Sequence, residues 1–357
     1  MVRVAHISDS HLGSAVFQLA ERKKDARACL KKAVDMALRK SPDILVHTGD
    51  LFDRPDPSNE DLSFVMELFR DIGDDVCKIV VQGNHDIPYG YRRQLSPILS
   101  IENAGLVRST TTEDHASFTV DCDGEKVDIN LISWTRPRRI RHLLTKQAGY
   151  SSNIKLLFAH DLPVDKQEIP ASFDYIGIGH SHNFLLDEEY DIGRPGSTAI
   201  IDWKKEQGAH KKLIVAEITK EGNEYFTETL NDVRDFKFIT GLDVTGMGPE
   251  EISALMKERI DHLSVKKNKK PIIIMEVKGA IDTETEQSIG RAEILEYGDR
   301  VCNPLFFHVE PRWDVLGARR ITLSEPLNAE KSIVEYLEQT QEEDPEDLVG
   351  LYHDIVR

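Results

Sequence analysis

Seven side chains in this sequence could act together as metal donors: Asp9, His11, Asp50, Asn84, His160, His180 and His182. Each follows an apolar run that reads as a strand. Oxygen and imidazole donors with no thiolate suit Mn²⁺, Fe²⁺ or Mg²⁺ better than a structural zinc. Seven donors exceed what one ion with open positions needs. They suit two ions that share a bridging carboxylate at the ~3.5–4 Å spacing of two-metal hydrolases, where phosphate oxygens are neutralised during in-line displacement. A histidine taken alone reads as a structural or surface residue, and His6, His47, His115, His142, His210, His262, His308 and His353 are read that way. Five motifs in order, each after a predicted strand, make a stronger case. Asp53, Asp86 and Asp161, adjacent to the donors, are read as groups that orient them.

The elements that must position these groups follow from hydrophobic periodicity. Val2–Ile7 alternates as a strand and delivers Asp9-Ser-His11; Asp43–His47 delivers Gly49-Asp50; Val76–Val81 delivers Gly83-Asn84-His85-Asp86. Helices are expected between them, from about Leu19 to Arg39 and across Leu62, Val65, Met66 and Phe69. Strand and helix alternating in this way predicts a parallel, helix-covered sheet, which binds ligands at the carboxyl ends of its strands. After residue 110 a hairpin is expected, Ser117–Asp121 with Lys126–Ile132. Strands follow at Ile154–Phe158 (delivering His160) and Phe173–Ile178 (delivering His180-Ser-His182), then at Arg194–Ser197, Leu213–Ile218 and Tyr225–Thr229. Two halves that both end strands in donors predict two packed sheets with helices outside.

A composition shift places a domain boundary near Val233. Beyond it, Phe236–Val244, Pro249–Leu263, Pro271–Val277, a helix over Glu284–Glu293 and a strand at Leu305–Val309 describe a smaller α/β unit. Three segments result: 1–232, 233–320, and a helical tail at 321–357. In the tail, helices at Lys331–Glu338 and Glu346–Val356 flank the acidic linker Gln341–Pro345. No apolar run reaches membrane-spanning length, and the N-terminus goes straight into a strand, so neither anchor nor signal peptide is expected. Four widely spaced cysteines predict reduced thiols in a cytoplasmic protein. A net charge of −17 argues against non-specific adhesion to nucleic acid or anionic lipid, so any DNA contact must come from local basic groups and bound cations.

The order D-x-H, G-D, G-N-H-D, H, G-H-x-H resembles the calcineurin-like metallophosphoesterase superfamily over about the first 230 residues. Within it, Ser8-Asp-Ser-His-Leu-Gly13, Gly49-Asp-Leu-Phe-Asp53, Val81-Gln-Gly-Asn-His-Asp86 and Pro195-Gly-Ser197 resemble DNA double-strand-break repair nucleases. That group is the archaeal and eukaryotic meiotic-recombination-eleven family and its bacterial counterpart SbcD. The resemblance implies a two-sheet metallophosphoesterase sandwich flanked by helices, with a smaller C-terminal α/β cap. It implies an Mn²⁺-dependent nuclease acting on duplex ends and single strands, working as a homodimer with a coiled-coil ABC-type ATPase of the Rad/SbcC kind at the nucleoid.

By motif, Asp9, His11 and His182 would hold one metal, Asn84, His160 and His180 the other, and Asp50 would bridge them. His85 matches the family histidine that protonates the leaving group or stabilises the transition state, roles an imidazole can fill. The chain departs from several archaeal members in carrying Asp53 where they have histidine, and from the usual His-Gln in reading His160-Asp161.

Arg136, Arg138, Arg139 and Arg141 follow a strand and could contact phosphates; a solvated helix start is the competing reading. The loop Lys266–Lys270 is a second basic candidate, and part of the Leu62–Phe69 face could serve the homodimer. Two rivals to the nuclease reading are a small-molecule phosphodiesterase or phosphatase on the same site, and a non-catalytic scaffold, against which the intact donor set with His85 argues.

Overall fold

The computed structural model describes residues 1–316 apart from 89, 91–94, 111, 232 and 265–268. The expected tail helices, and Lys266, Lys267 and Asn268 of the basic loop, therefore lie outside the described residues. Those described divide into two units, one running from Met1 to Phe236 and taking in Lys269 and Lys270, the other beginning at Lys237.

The first unit is built on two sheets. Strands β1 (Val2–Ile7), β2 (Ile44–His47) and β3 (Cys77–Val80) are parallel neighbours, and β10 (Lys212–Ile218) and β11 (Asn223–Thr229) add antiparallel to the β1 edge. The second sheet runs in the order β4 (His115–Cys122), β5 (Glu125–Ile132), β6 (Ile154–Ala159), β7 (Tyr175–Ile178), β9 (Ile192–Arg194), β8 (Leu185–Asp187). Strands β5, β6, β7 and β9 are parallel.

The sheets face each other through Val4, Val46, Ile79 and Val81 from one and Val127, Ile129, Leu156 and Phe158 from the other. Helices cover both outer faces. On the first sheet lie α1 (Ala20–Leu38), α2 (Asn59–Arg70) and α3 (Pro97–Asn103), packing Leu30, Val34, Phe69 and Ile98 onto Ile7 and Leu45. On the second, α4 (Pro137–Gln147) packs Ile140, Leu143 and Leu144 onto Leu157 and Ile176. The uninterrupted apolar stretches Ile44–Val46 of β2 and Leu156–Ala159 of β6 reflect strands with both faces covered. The result is the expected two-sheet sandwich.

Local chemistry sets the ends of the elements. Ser58 caps α2 by accepting the Asp61 N–H at 3.1 Å. The hairpin between β4 and β5 turns on Asp123 and Gly124, both left-handed (φ 50° and 86°), as a two-residue loop matching strand twist requires. Two expectations change. The strand expected at Arg194–Ser197 stops at Arg194, since Pro195 cannot donate to a ladder and Gly196 turns left-handed (φ 77°). Helix α3 and strand β8 were not anticipated, being a seven-residue helix and a three-residue strand.

The second unit has a three-stranded sheet, β12 (Phe236–Asp243), β13 (Ile272–Asp282) and β14 (Phe306–Leu316), with α5 (Pro249–Asp261), α6 (Thr283–Ser288) and α7 (Arg291–Cys302). Its core joins Met256, Ile260, Ile273, Met275, Ile294 and Phe307. The single helix expected over Glu284–Glu293 is two: the chain is extended at Ile289, and Gly290 starts α7 anew. Strand β14 runs past the expected Val309, through Pro311, which an edge strand tolerates because its missing N–H need not meet a neighbour.

Candidate metal centre

Parallel strands put their carboxyl ends at one edge of each sheet, and hydrogen bonds join the two edges. Trp134 N–H donates to Gln82 O at 2.9 Å, and the His160 ring donates from Nδ1 to Thr48 O at 2.8 Å. The loops after β1 and β2 are stitched together by backbone: Asp9 N–H to Gly49 O (3.0 Å), His11 N–H to Asp50 O (3.0 Å) and Leu12 N–H to Leu51 O (2.9 Å). Asp9, His11 and Asp50 turn inward from left-handed backbone, φ 50°, 43° and 50°, and so does His180 at 66°. Non-glycine residues rarely adopt this region, and such residues cluster at functional sites. Gly49 (φ 102°) and Gly83 have no substitute: a Cβ at Gly49 would sit 2.4 Å from His160 Nδ1, and one at Gly83 2.1 Å from Asp50 Oδ1.

All seven expected donors converge. Asp50 lies in the middle, with Oδ2 3.6 Å from His11 Nε2 and 3.5 Å from His160 Nε2, and Oδ1 accepting the His85 N–H at 2.8 Å. On one side the donor atoms of Asp9, His11 and His182 lie within 4.8 Å of one another, and His11 Nε2 faces His182 Nε2 at 3.1 Å. On the other, Asp50, His160 and His180 are grouped as tightly, and Asn84 Oδ1 stands 3.0 Å from His160 Nε2 and 3.1 Å from His180 Nδ1. A third grouping, His11 with Asp53 and His85, shares His11 with the first.

The chemistry of this set fits divalent cations. Asp9 Oδ1 is buried with no hydrogen-bond partner, and so is His11 Nδ1, which lies 3.3 Å from Asp53 Oδ1 without hydrogen-bond alignment. An orphaned carboxylate oxygen among inward-facing imidazole nitrogens is what a cation would satisfy.

Charges here are strongly coupled. Burial would raise the Asp50 carboxyl, but His160 and His11 hold it well below the ordinary range. Burial would likewise lower His160, but the Asp50 carboxylate lifts it to about 10. His11 is raised by Asp53 and Asp50 against its burial, while burial raises Asp9.

The surrounding groups sort into those the sequence suggested and those it hid. Asp86 is fully buried and accepts the N–H groups of Gly83 (2.9 Å), Phe52 (3.0 Å) and Leu51 (3.3 Å), tying the third donor loop to the second; burial and nearby Asp50 push its carboxyl up to about 6. Asp53 accepts His85 Nδ1–H on its backbone carbonyl at 2.7 Å. Asp161 makes no hydrogen bond to a donor among the described residues. His6 and His47 are structural, hydrogen-bonded to Thr48 and Ser10 respectively, and burial lowers both to about 3.

Glu206 gave no signal, because Lys204-Lys205-Glu206 reads as a solvated loop. It is buried against His182 Nδ1 at 2.9 Å, beside buried Lys211. Burial would raise its carboxyl, but the hydrogen bond from His182 and the Lys211 ammonium bring it down to about 2.

A cleft of about 340 Å³ opens onto the centre, lined by Asn84, His85, His180, His182, Asp202 and Lys205. The four arginines sit at the start of α4, on the same sheet edge: Arg136 precedes the helix, Arg139 forks onto Asp114 (2.8 and 3.0 Å) and Arg141 pairs with Glu168 (3.0 Å).

Residues 2–184 match the calcineurin-like phosphoesterase family. Similar proteins bear the name DNA double-strand break repair protein Mre11. One from Saccharolobus solfataricus is 26% identical over 227 residues, covering 59% of this chain and 58% of that protein. One from Methanopyrus kandleri is 29% identical over 240 residues (59% and 52%), and one from Thermoplasma acidophilum 28% over 305 (78% of each). The chain thus spans little more than half the length of the first two of these relatives. No described helix is long and apolar enough to cross a membrane.

Proposed function

This chain belongs to the calcineurin-like phosphoesterase family, whose members are metal-dependent, and on that premise we propose that it is a nuclease of DNA double-strand-break repair. It would cleave duplex ends exonucleolytically and single strands endonucleolytically, with two Mn²⁺ ions. The observation that carries the two-metal reading is the Asp50 carboxylate, whose Oδ2 faces a nitrogen donor of each triad at 3.5–3.6 Å.

Asp9, His11 and His182 would hold one ion, Asn84, His160 and His180 the other, with Asp50 shared. The ions would supply positive charge to the phosphate oxygens and acidify the attacking water. His85 is the acid. Its Nδ1–H donates to the Asp53 carbonyl, which fixes the ring, and in the imidazolium form the second proton, on Nε2, passes to the leaving oxygen. Hydrogen bonds to Asp86 hold the loop that carries Asn84 and His85 against the loop that carries Asp50.

Positive charge for the DNA backbone comes from Lys205 at the cleft and from the four arginines at the start of α4. Arg139 and Arg141 would have to exchange a carboxylate for a phosphate. By the same reading the protein is a cytoplasmic, nucleoid-associated homodimer and works with a coiled-coil ABC-type ATPase. The α2 face that keeps Leu62 and Met66 partly exposed is a candidate for the dimer contact.

The alternative is a small-molecule phosphodiesterase, which a cleft of about 340 Å³ would also admit. One experiment separates them: purified protein with Mn²⁺, offered labelled duplex, single-stranded circle and a small phosphodiester in parallel, with an EDTA arm. Cleavage of both DNA substrates, abolished by EDTA, is expected. Turnover of the small ester with both DNAs intact would support the alternative, and no turnover of any substrate would overturn both.

A further inference from the structure

Glu206 has a burial and a partner set that a loop residue does not need for its own sake. Its side chain is fully buried, although the neighbouring Lys205 is exposed. Oε1 accepts from His182 Nδ1 (2.9 Å) and from the N–H groups of Ile201 (3.1 Å) and Asp202 (2.5 Å). Oε2 accepts from Ser197 Oγ (2.9 Å) and from the Lys211 ammonium. Lys211 is itself buried and also reaches Ser197 Oγ (2.7 Å) and His182 O (3.3 Å), so the carboxylate and the ammonium hold His182 by ring and by backbone.

A carboxylate can only accept, so His182 must carry its proton on Nδ1. That leaves the Nε2 lone pair facing His11 Nε2 at 3.1 Å, inside the candidate centre. A metal-binding histidine whose second nitrogen donates to a carboxylate is fixed in tautomer and orientation, and losing that partner typically weakens metal binding 10–100-fold.

We infer that Glu206 is a positioning residue for one metal of the pair: by accepting from Nδ1 it selects the His182 tautomer and ring angle that the Asp9–His11–His182 triad requires. The inference rests on the two-metal reading proposed above. A bland reading competes with it, in which Glu206 only neutralises the buried charge of Lys211.

Wild type, Glu206→Leu, which leaves no acceptor for Nδ1, and the double variant Glu206→Leu/Lys211→Met, which also removes the ammonium, separate the two readings. Each is titrated with Mn²⁺ alone by calorimetry after a thermal melt has established folding. If Glu206 positions His182, wild type shows two Mn²⁺ ions, and both variants lose about 10–100-fold at one ion while the other changes little. Recovery of wild-type affinity in the double variant would overturn the inference in favour of charge neutralisation, and so would unchanged affinity in the single variant. Wild type binding no Mn²⁺ would instead overturn the metal reading beneath it. A measurement on the wild-type protein needs no variant: histidine ¹⁵N correlation spectra of the metal-free protein should show His182 protonated at Nδ1 and bare at Nε2. A proton on Nε2 with Nδ1 bare would refute the inference whether or not the variants fold.

Discussion

Mn²⁺ binding should expel protons, because Asp50 holds its neighbours as imidazolium ions. The His160 ring, 3.5 Å from Asp50, has its pKa at about 10 in the protein alone, and His11 at 3.6 Å is raised too. An imidazolium has no lone pair to give a metal, so each ring must shed its proton to become a ligand. At pH 7.5 that ring lies well below a pKa of about 10, so shedding its proton costs about 3 kcal/mol, on the order of a hundredfold or more in apparent affinity.

The sign follows from linkage. A raised pKa in the folded state means that the Asp50–His160 pair stabilises the metal-free protein fully below about pH 6.5, and that this stability is lost as pH rises through about 10. The loaded protein, with no proton on that ring, lacks this dependence. Apparent Mn²⁺ affinity should therefore climb between pH 6.5 and 8.5 by about tenfold per pH unit for each proton released. Calorimetry at pH 7.5 in buffers of differing protonation enthalpy counts those protons directly. At least one is expected, approaching two if His11 also loses its proton, and Asp50→Asn should release fewer. Bound Mn²⁺ with an enthalpy independent of buffer, or an affinity flat across that pH range, would refute the reasoning.

His85→Gln should keep both Mn²⁺ ions by calorimetry and lose turnover about 10²–10⁴-fold; lost metal or wild-type turnover would contradict the role given to Nε2. Asp86→Ala strips the acceptor from three buried N–H groups, at about 1–3 kcal/mol each, partly offset at pH 7 by relief of an ionised carboxylate whose pKa stands at about 6. Urea unfolding should show a net loss of about 2–4 kcal/mol at pH 7. The loss should be larger near pH 4, since stability linked to a raised carboxyl is present below its unfolded pKa and fades as pH rises through about 6. Gly49→Ala, whose Cβ would meet His160 Nδ1 at 2.4 Å, should weaken one Mn²⁺ ion at least tenfold, roughly the cost of a mis-set ligand, in a protein that still melts cooperatively; undiminished affinity would mean that the loop yields. Changing Arg136, Arg138, Arg139 and Arg141 to Ala should lower the salt slope of duplex binding by about 0.9 for each lost phosphate contact, and an unchanged slope would put the DNA path elsewhere.

The donors were legible because they break a rule where they stand. Aspartate, asparagine and histidine directly after a buried apolar strand have no packing reason to be there, and repetition of that oddity marks one sheet edge. The two sheets were legible in the uninterrupted apolar runs Ile44–Val46 and Leu156–Ala159. What escaped depends on contacts between residues far apart in the chain. Nothing near Arg139 announces Asp114, and nothing near Glu206 announces that its loop folds back over His182. The break at Gly290 and the run of β14 through Pro311 turn on local backbone and on edge position in the sheet, neither of which periodicity records.

The left-handed backbone at Asp9, His11, Asp50 and His180 governs which inactive controls can be trusted. Alanine, the usual choice for removing a ligand, pays about 1–2 kcal/mol for that conformation on top of losing the side chain, so an alanine variant confounds a missing donor with a relaxed turn. Asparagine adopts the same region readily through its short polar side chain. Asp9→Asn and Asp50→Asn therefore subtract charge and leave the loop path intact. An inactive form made that way keeps the shape of the cleft, and can be used to trap a bound phosphodiester without asking whether the surface has moved.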